Sequence, residues 1–225
     1  MKGKLYIVST PIGNLKDITL RALETLNETD FILCEDTRIS SRLLKHYNIS
    51  KELVSFNAVS EKKKIPNVIS RIKSGDNCVL VSDAGTPVIS DPGGRLISEA
   101  IKENINIIPV PGTSAVITAL TISGLPADSF VFEGFLPQKK GRHKKLKELS
   151  EEKRTIIIYE STYRIKKLID ELHEYMTNRY IVVCRELTKK FEETWRGYPN
   201  EIKDVIQEKI SKGEFVIVIA PKEWK

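Results

Sequence analysis

Three turns built from Gly and Pro contain residues that could bind a small molecule. Each turn follows an apolar run of strand-forming residues, and the three turns are 9–14, 82–87 and 111–115. In open α/β sheets, ligands bind beyond the carboxyl ends of the strands, where glycine allows close approach of the backbone. We therefore predict one shared pocket, with Asp83, Thr86 and Ser114 as its polar groups. The alternative is that Gly and Pro only form tight turns.

The sequence lacks the common signatures of nucleotide and metal sites. Neither G-x-G-x-x-G nor G-x-x-x-x-G-K-[ST] occurs, which argues against an NAD enzyme or an ATPase. Cys34, Cys78 and Cys184 are widely separated, and neither they nor the three histidines show metal-ligand spacing. We predict no metal, and a cofactor held mainly by backbone groups and small hydroxyls.

A second group of reactive side chains follows the apolar run that ends at Cys34. Glu35, Asp36 and Arg38 lie where a strand gives way to a helix. The alternative is structural, because Asp36 or Thr37 could cap that helix. Polar residues also end two later strands, at 159–164 and 185–193, where exposed ion pairs are the simpler explanation.

Positive charge is moderately concentrated along the chain. The net charge is +6, and residues 139–145 form the densest basic segment. Such a segment favours an anionic partner such as RNA, and a solvated loop is the alternative. The candidate RNA-binding residues are Lys139, Lys140, Arg142, Lys144 and Lys145.

Strands and helices alternate in the first half, which is typical of a parallel sheet with crossover helices. The predicted strands there are 4–9, 30–34, 53–56, 77–82 and 106–110, and the predicted helices are 18–27, 38–47, 65–74, 94–103 and 113–123. In the second half, strands are predicted at 154–159, 179–185, 191–197 and 215–220. The turn composition of 123–129 divides the 225 residues into an N-terminal α/β domain (1–125) and a smaller mixed α/β domain (126–225).

The expected location is the cytoplasm. The first apolar run is too short for a signal peptide, and no run approaches the roughly 18 apolar residues of a membrane span. The odd number of dispersed cysteines is typical of reduced core residues.

Eight short motifs, in order along nearly the whole chain, carry a resemblance to a known family. They are TPIGNL (10–15), EDTR (35–38), SDAGTP (82–87), DPG (91–93), PGTSA (111–115), EGFLP (133–137), YES (159–161) and RELTK (185–189). Each motif is weak alone, but together they resemble ribosomal RNA small subunit methyltransferase I, of the tetrapyrrole-methylase fold group.

The resemblance implies an S-adenosylmethionine-dependent enzyme that methylates a cytidine ribose 2′-oxygen of small-subunit (16S) ribosomal RNA as a homodimer. It places the three turns around one cofactor in the cleft between the domains. The cofactor residues it implies are Pro11, Ile12, Asp83, Gly85, Thr86, Ile89, Ser114 and Ala115, with Phe135 and Leu136 closing the pocket from the domain junction.

The chain lacks two segments of the family pattern whose histidines could have served as a general base. The family often shows Tyr-His-x-His-Asn-Glu where residues 56–61 here read FNAVSE, and Thr162 and Tyr163 replace a common Pro-His. With those histidines absent, the candidate catalytic residues are Glu35, Asp36 and Arg38, with Lys190 from the second domain. Two alternatives stay open: a small-molecule (tetrapyrrole) methylase of the same fold, and an RNA-binding assembly factor without catalysis.

Overall fold

The computed structural model describes residues 2–209 and 212–224. The chain forms two compact units, Met1–Ser114 (unit 1) and Ala115–Lys225 (unit 2). The division lies one helix before the boundary predicted after residue 125, because the helix at 115–123 contacts the last strand of unit 2. Among the described residues, no helix has the length and apolar character needed to cross a membrane.

Unit 1 is a five-stranded, fully parallel sheet with crossover helices, as predicted. Its strands run in the order β3-β2-β4-β1-β5, and every pairing is parallel. The elements are β1 (Lys4–Val8), a 3-10 turn (Leu15–Asp17), α1 (Leu20–Glu28), β2 (Phe31–Cys34), α2 (Thr37–His46), β3 (Glu52–Ser55), α3 (Glu61–Ser74), β4 (Cys78–Leu80), α4 (Gly94–Lys102) and β5 (Asn106–Val110).

The sheet of unit 1 is buried on both faces. In β2, Phe31 and Leu33 belong to one hydrophobic cluster, whereas Ile32 and Cys34 belong to another. Successive side chains of a strand point to opposite faces, so two covered faces require a continuous apolar run. This double burial explains why the strands of unit 1 show no polar alternation.

Unit 2 is a mixed sheet in the order β6-β7-β10-β8-β9. Strands β6 and β7 are parallel, and the other pairs are antiparallel. Its elements are α5 (Ala115–Ser123), β6 (Phe130–Phe135), α6 (Arg142–Ser150), β7 (Thr155–Ser161), α7 (Thr162–Tyr175), β8 (Ile181–Arg185), β9 (Glu193–Gly197), α8 (Pro199–Lys209) and β10 (Glu214–Ile219).

Two elements differ from the sequence-based expectation. Strand β6 was not predicted: Gly134, at φ +60°, lies where the pairing with β7 shifts register after Phe132, and such a bulge disturbs the alternation that marks a strand. Helix α3 begins at Glu61, earlier than predicted, with Pro66 inside it. Proline in a helix interior removes a hydrogen bond, so the sequence predicts that the helix begins at residue 65, directly before Pro66.

Candidate functional site

The three Gly/Pro turns meet at the carboxyl edge of the unit 1 sheet, because they follow the adjacent strands β4, β1 and β5. The amide of Thr10 donates to the carbonyl of Gly85 at 2.9 Å, and the Gly85 amide donates back at 3.0 Å. The Thr86 hydroxyl donates to the Thr113 carbonyl at 2.9 Å and lies 3.0 Å from the Ser9 hydroxyl. The turns therefore form one connected surface. That this surface holds a ligand stays a prediction.

Gly85 has a backbone conformation that other residues rarely adopt. Its φ is +81°, and a Cβ there would lie 3.2 Å from Cγ2 of Ile12. Pro11 and Ile12 are buried beside it. A side chain at Gly85 would therefore displace Ile12, one of the predicted cofactor residues.

The loop after β4 contains unusual non-glycine conformations. Val88 has φ 76° and Ser90 has φ 69°, in a region that a β-branched residue such as valine very rarely occupies. Ile89, between them, is exposed. Strain of this kind persists only where surrounding structure enforces it, and it is concentrated at functional sites.

A buried glutamate fixes the end of this loop. The Glu61 carboxylate, on α3, accepts the amide of Gly93 at 3.1 Å, and Gly93 is the N-cap of α4. A carboxylate at a helix N-terminus satisfies an orphan amide and interacts favourably with the helix dipole. The sequence alone assigns no role to Glu61, which ends the segment 56–61 that departs from the family pattern.

Three carboxyl groups of unit 1 have raised pKa values. Burial, followed by the charge of Asp83, raises the pKa of Glu35, and burial also raises the pKa of Asp83. Burial and the charge of Glu35 raise the pKa of Asp91 to about 6. A carboxyl group in this range is well suited to accept a proton near neutral pH. Asp91 had been noted only as part of a motif.

Asp36 has the opposite environment. Its carboxylate accepts the Arg38 amide at 2.8 Å and caps α2, as the structural alternative supposed. The Arg38 guanidinium, 2.5 Å away, is the main reason that the pKa of Asp36 falls to about 2. This carboxylate is therefore a weak base. The Asp36 amide donates to Asp83 at 3.0 Å, which joins the β2 and β4 strand ends.

The other predicted cofactor residues lie at the end of unit 1 or in unit 2. Ser114 ends unit 1 and Ala115 begins α5. Phe135 is 52% exposed at the end of β6, and its ring contacts Tyr159. Leu136 is buried in the unit 2 core, so its side chain is committed to packing. Cofactor contact by these residues stays a prediction.

Arg142 is not available for RNA. Only 2% of its surface is exposed, and its guanidinium binds Glu171 bidentately, the closest N–O distance being 2.6 Å. It also donates to the Pro137 carbonyl at 3.0 Å. This burial corrects the RNA-binding prediction for Arg142, because the side chain stabilises the base of the β6–α6 loop from inside.

The buried cluster around Arg142 includes the motif glutamate of β7. Glu160 accepts Arg164 at 2.7 Å and lies 3.8 Å from Arg142. Arg164 also donates to the Leu136 carbonyl at 3.3 Å. Two arginines thus bind consecutive carbonyls of the loop that carries the basic segment.

The remaining predicted RNA-binding lysines have different surroundings. Lys139 and Lys140 are exposed and make no ion pair within the described part of the chain. Lys145 pairs with Glu133 at 2.7 Å, and Lys144 lies 3.9 Å from Glu148. Lys190, the predicted catalytic lysine, is exposed over the Phe191 ring, 5.6 Å from its centroid. Across residues 2–209 and 212–224, no group of His, Cys, Asp or Glu could hold a metal ion.

Solved structures of low sequence identity share this fold. A structure titled diphthine synthase aligns with a TM-score of 0.75 at 17% identity, over 97% of this chain and 90% of the other. A uroporphyrin-III C-methyl transferase from Thermus thermophilus, complexed with S-adenyl homocysteine, aligns with a TM-score of 0.67 at 16% identity, over 96% and 97%.

Sequence comparison is more specific than fold. Residues 4–203 match the family Tetrapyrrole (Corrin/Porphyrin) Methylases. A protein of Halalkalibacterium halodurans named Ribosomal RNA small subunit methyltransferase I is 47% identical over 97% of this chain and 76% of its own length. One of the same name from Thermotoga maritima is 45% identical over 98% and 100%. The chain therefore belongs to the ribosomal RNA small subunit methyltransferase I family, within the Tetrapyrrole (Corrin/Porphyrin) Methylases.

Proposed function

We propose that this chain transfers a methyl group from S-adenosylmethionine to a cytidine ribose 2′-oxygen of small-subunit (16S) ribosomal RNA. The observation that carries the proposal is the 47% and 45% identity, over almost the whole chain, to proteins named for methylation of that RNA. A tetrapyrrole substrate has weaker support, because the structures titled for tetrapyrrole methylation are at most 20% identical.

The chemistry of unit 1 fits the cofactor. S-adenosylmethionine carries a sulfonium and an ammonium cation, a carboxylate, ribose hydroxyls and an adenine with apolar faces. The carboxyl edge of the unit 1 sheet offers the carboxyl groups of Glu35, Asp83 and Asp91 and the exposed apolar side chain of Ile89. Proposed cofactor contacts are Pro11, Ile12, Asp83, Gly85, Thr86, Ile89 and Ser114.

The cofactor supplies an electrophilic methyl group, so the protein's main tasks are to orient the acceptor oxygen and remove its proton. Among the predicted catalytic residues, Glu35 is the best candidate base, because burial raises its pKa. We add Asp91 as a second candidate base, because its pKa is about 6. Asp36 and Arg38 instead hold the strand end in place, since they bind one another and Asp36 caps α2. Lys190 remains a proposed cationic group.

RNA phosphates are proposed to bind Lys139 and Lys140, with smaller contributions from Lys144 and Lys145. Among the described residues, no carboxylate pairs with the first two, whereas Lys145 would have to leave Glu133. The active form is proposed to be a homodimer, which the resemblance to the family supports.

The decisive experiment is methyl transfer to purified small ribosomal subunits from cells that lack this protein. Radiolabelled S-adenosylmethionine should give one ribose-methylated cytidine, identified by nuclease mapping. Glu35→Gln and Asp91→Asn should slow single-turnover transfer, whereas Glu99→Gln, on α4, is a matched control that should not. Absence of transfer by folded wild-type protein that binds the cofactor would overturn the RNA substrate. Absence of cofactor binding would instead favour a non-catalytic assembly factor.

A further inference from the structure

Three exposed aromatic side chains lie at one end of the unit 2 sheet, the end at which β6, β7 and β8 finish and β9 and β10 begin. Phe135 ends β6, Tyr163 is the second residue after β7, and Phe191 lies two residues before β9. They share an edge because β6 and β7 are parallel, while β10 is antiparallel to both β7 and β8. We call these three residues the aromatic edge. Their exposed fractions are 52%, 97% and 63% respectively.

Tyr163 differs from the exposed aromatics at the opposite edge. There, Tyr198 and Trp224 both contact the ring of Tyr180, at centroid distances of 5.7 and 5.4 Å. Tyr163 makes no hydrogen bond or ring contact among the residues that the structure describes, and its side chain is almost fully exposed.

The aromatic edge is surrounded by unpaired positive charge. Lys139, Lys140, Lys190 and Lys212 are exposed, and none forms an ion pair within the described residues. The acidic side chains nearby are already engaged: Glu193 binds Arg185, and Glu186 and Glu214 both bind Lys189. Glu192 accepts the Thr188 amide. Two of these carboxylates share one lysine and Glu192 faces only an amide, so the surplus positive charge beside Phe191 is small, and the clearest unpaired charge at this edge is that of Lys139 and Lys140.

Lysines beside exposed rings are the composition of a surface for single-stranded nucleic acid. Lysines bind phosphates independently of sequence, and every unpaired base offers a face for stacking on an aromatic ring. A duplex would hide the base faces and would use only the lysines. Because β10 lies between β7 and β8, the ends of these two strands are about two strand spacings, or roughly 10 Å, apart, which leaves room for a different nucleotide at each ring.

We infer that the aromatic edge and its four lysines bind an unpaired segment of the RNA substrate, with Tyr163 and Phe191 stacking on bases. This inference rests on the proposed function, because it takes the substrate to be RNA. It adds that the substrate must present unpaired nucleotides to unit 2, and it gives Tyr163 a substrate-positioning role.

Fluorescence anisotropy with a short labelled oligoribonucleotide, single-stranded or annealed to its complement, tests the inference. Tyr163→Ala and Phe191→Ala should each weaken single-strand binding roughly tenfold, as expected for loss of one base–aromatic stack, and should leave duplex binding and the salt slope unchanged. Tyr163→Trp should bind at least as well as wild type. Tyr198→Ala, at the opposite edge, is the matched aromatic control and should bind normally.

Two outcomes would overturn the inference. One is wild-type single-strand affinity in the double variant Tyr163→Ala/Phe191→Ala. The other is a lower oligomer mass of the same double variant in light scattering, together with unchanged RNA affinity. That result would show that the aromatic edge binds a second copy of the chain. Methylation of small subunits by wild-type protein is measured separately. Failure of that assay rejects the proposed function, whereas normal methylation with unaltered variant binding rejects only the aromatic edge.

Discussion

Gly85 combines two constraints at a single residue. It has a positive φ, and its missing side chain leaves room for Ile12. We expect Gly85→Val to weaken S-adenosylmethionine binding by about tenfold or more in calorimetry, since an added side chain both strains the turn and displaces a contact residue. Gly124→Val is the control for backbone strain alone. The φ of Gly124 is also positive, at +74°, but no atom of the described residues lies within 4 Å of the added Cβ. If both variants bind the cofactor as wild type does, the pocket assignment is wrong.

Asp91 should make stability depend on pH in an unusual direction. Its folded pKa is about 6, above the ordinary 3.8, because of burial and the charge of Glu35. The folded state therefore holds the proton more tightly than the unfolded chain does, and its contribution to stability is lost as pH rises through 6. We expect Asp91→Asn to melt higher than wild type at pH 8 and to lose that advantage near pH 4. A lower melting temperature at pH 8 would contradict the proposed environment.

At the scale of elements, the Arg142–Glu171 pair joins the first residue of α6 to α7. Both side chains are more than nine-tenths buried, and removing Arg142 leaves the Glu171 carboxylate with only the longer, 3.8 Å contact to Lys167. We expect Arg142→Met to lower the free energy of unfolding by about 3–5 kcal/mol, measured by urea denaturation. Arg142→Met/Glu171→Leu should recover most of that loss. Arg154→Met, which breaks a more exposed pair with Glu152, is the control and should cost about 1 kcal/mol or less.

The β6–α6 loop presents Lys139 and Lys140 to solvent. Replacing both by alanine should reduce the salt dependence of single-stranded RNA binding by about 1.4 in log–log slope, from roughly 0.7 per lost phosphate contact. Lys153→Ala/Lys222→Ala removes the same charge near the opposite edge of the sheet, where both lysines pair with glutamates, and should leave the slope unchanged. A normal slope in the Lys139/Lys140 variant would make the basic segment only a solvated loop.

The helices and strands are predicted from the sequence better than the surroundings of individual side chains. Parallel strands were recognisable because two-sided burial requires continuous apolar runs such as Phe31–Cys34. The aromatic edge and the burial of Arg142 depend on which strand ends meet, and local patterns do not contain that information. Arg142 stands among five other basic or polar neighbours in 139–145, yet its partners, Glu160 and Glu171, come from β7 and α7. Glu61 and Asp91 were missed for the same reason.

For the whole molecule, the proposed homodimer should be visible in solution. Multi-angle light scattering should give about twice the chain mass of 25.5 kDa. Dilution should lower the melting temperature, since association stabilises only the folded chain. A monomer mass at all concentrations would contradict the dimer without affecting the cofactor site.

Cofactor binding should also be visible as stabilisation of the folded chain, independently of any RNA. A ligand at one hundred times its dissociation constant stabilises the folded state by about 2.7 kcal/mol, which corresponds to a rise of about 5–10 °C in melting temperature for a chain of this size. We expect this rise with S-adenosylmethionine and with S-adenosylhomocysteine, because the proposed turn contacts do not depend on the transferable methyl group. Adenosine alone should give a smaller rise, since it lacks the ammonium group that the carboxylates of unit 1 attract. At the same cofactor concentration, Gly85→Val should show about half of this rise or less, because a tenfold loss of affinity lowers the stabilisation to about 1.4 kcal/mol, whereas Gly124→Val should keep the full ligand-induced rise. Equal rises in the two glycine variants would place the cofactor away from the Gly/Pro turns.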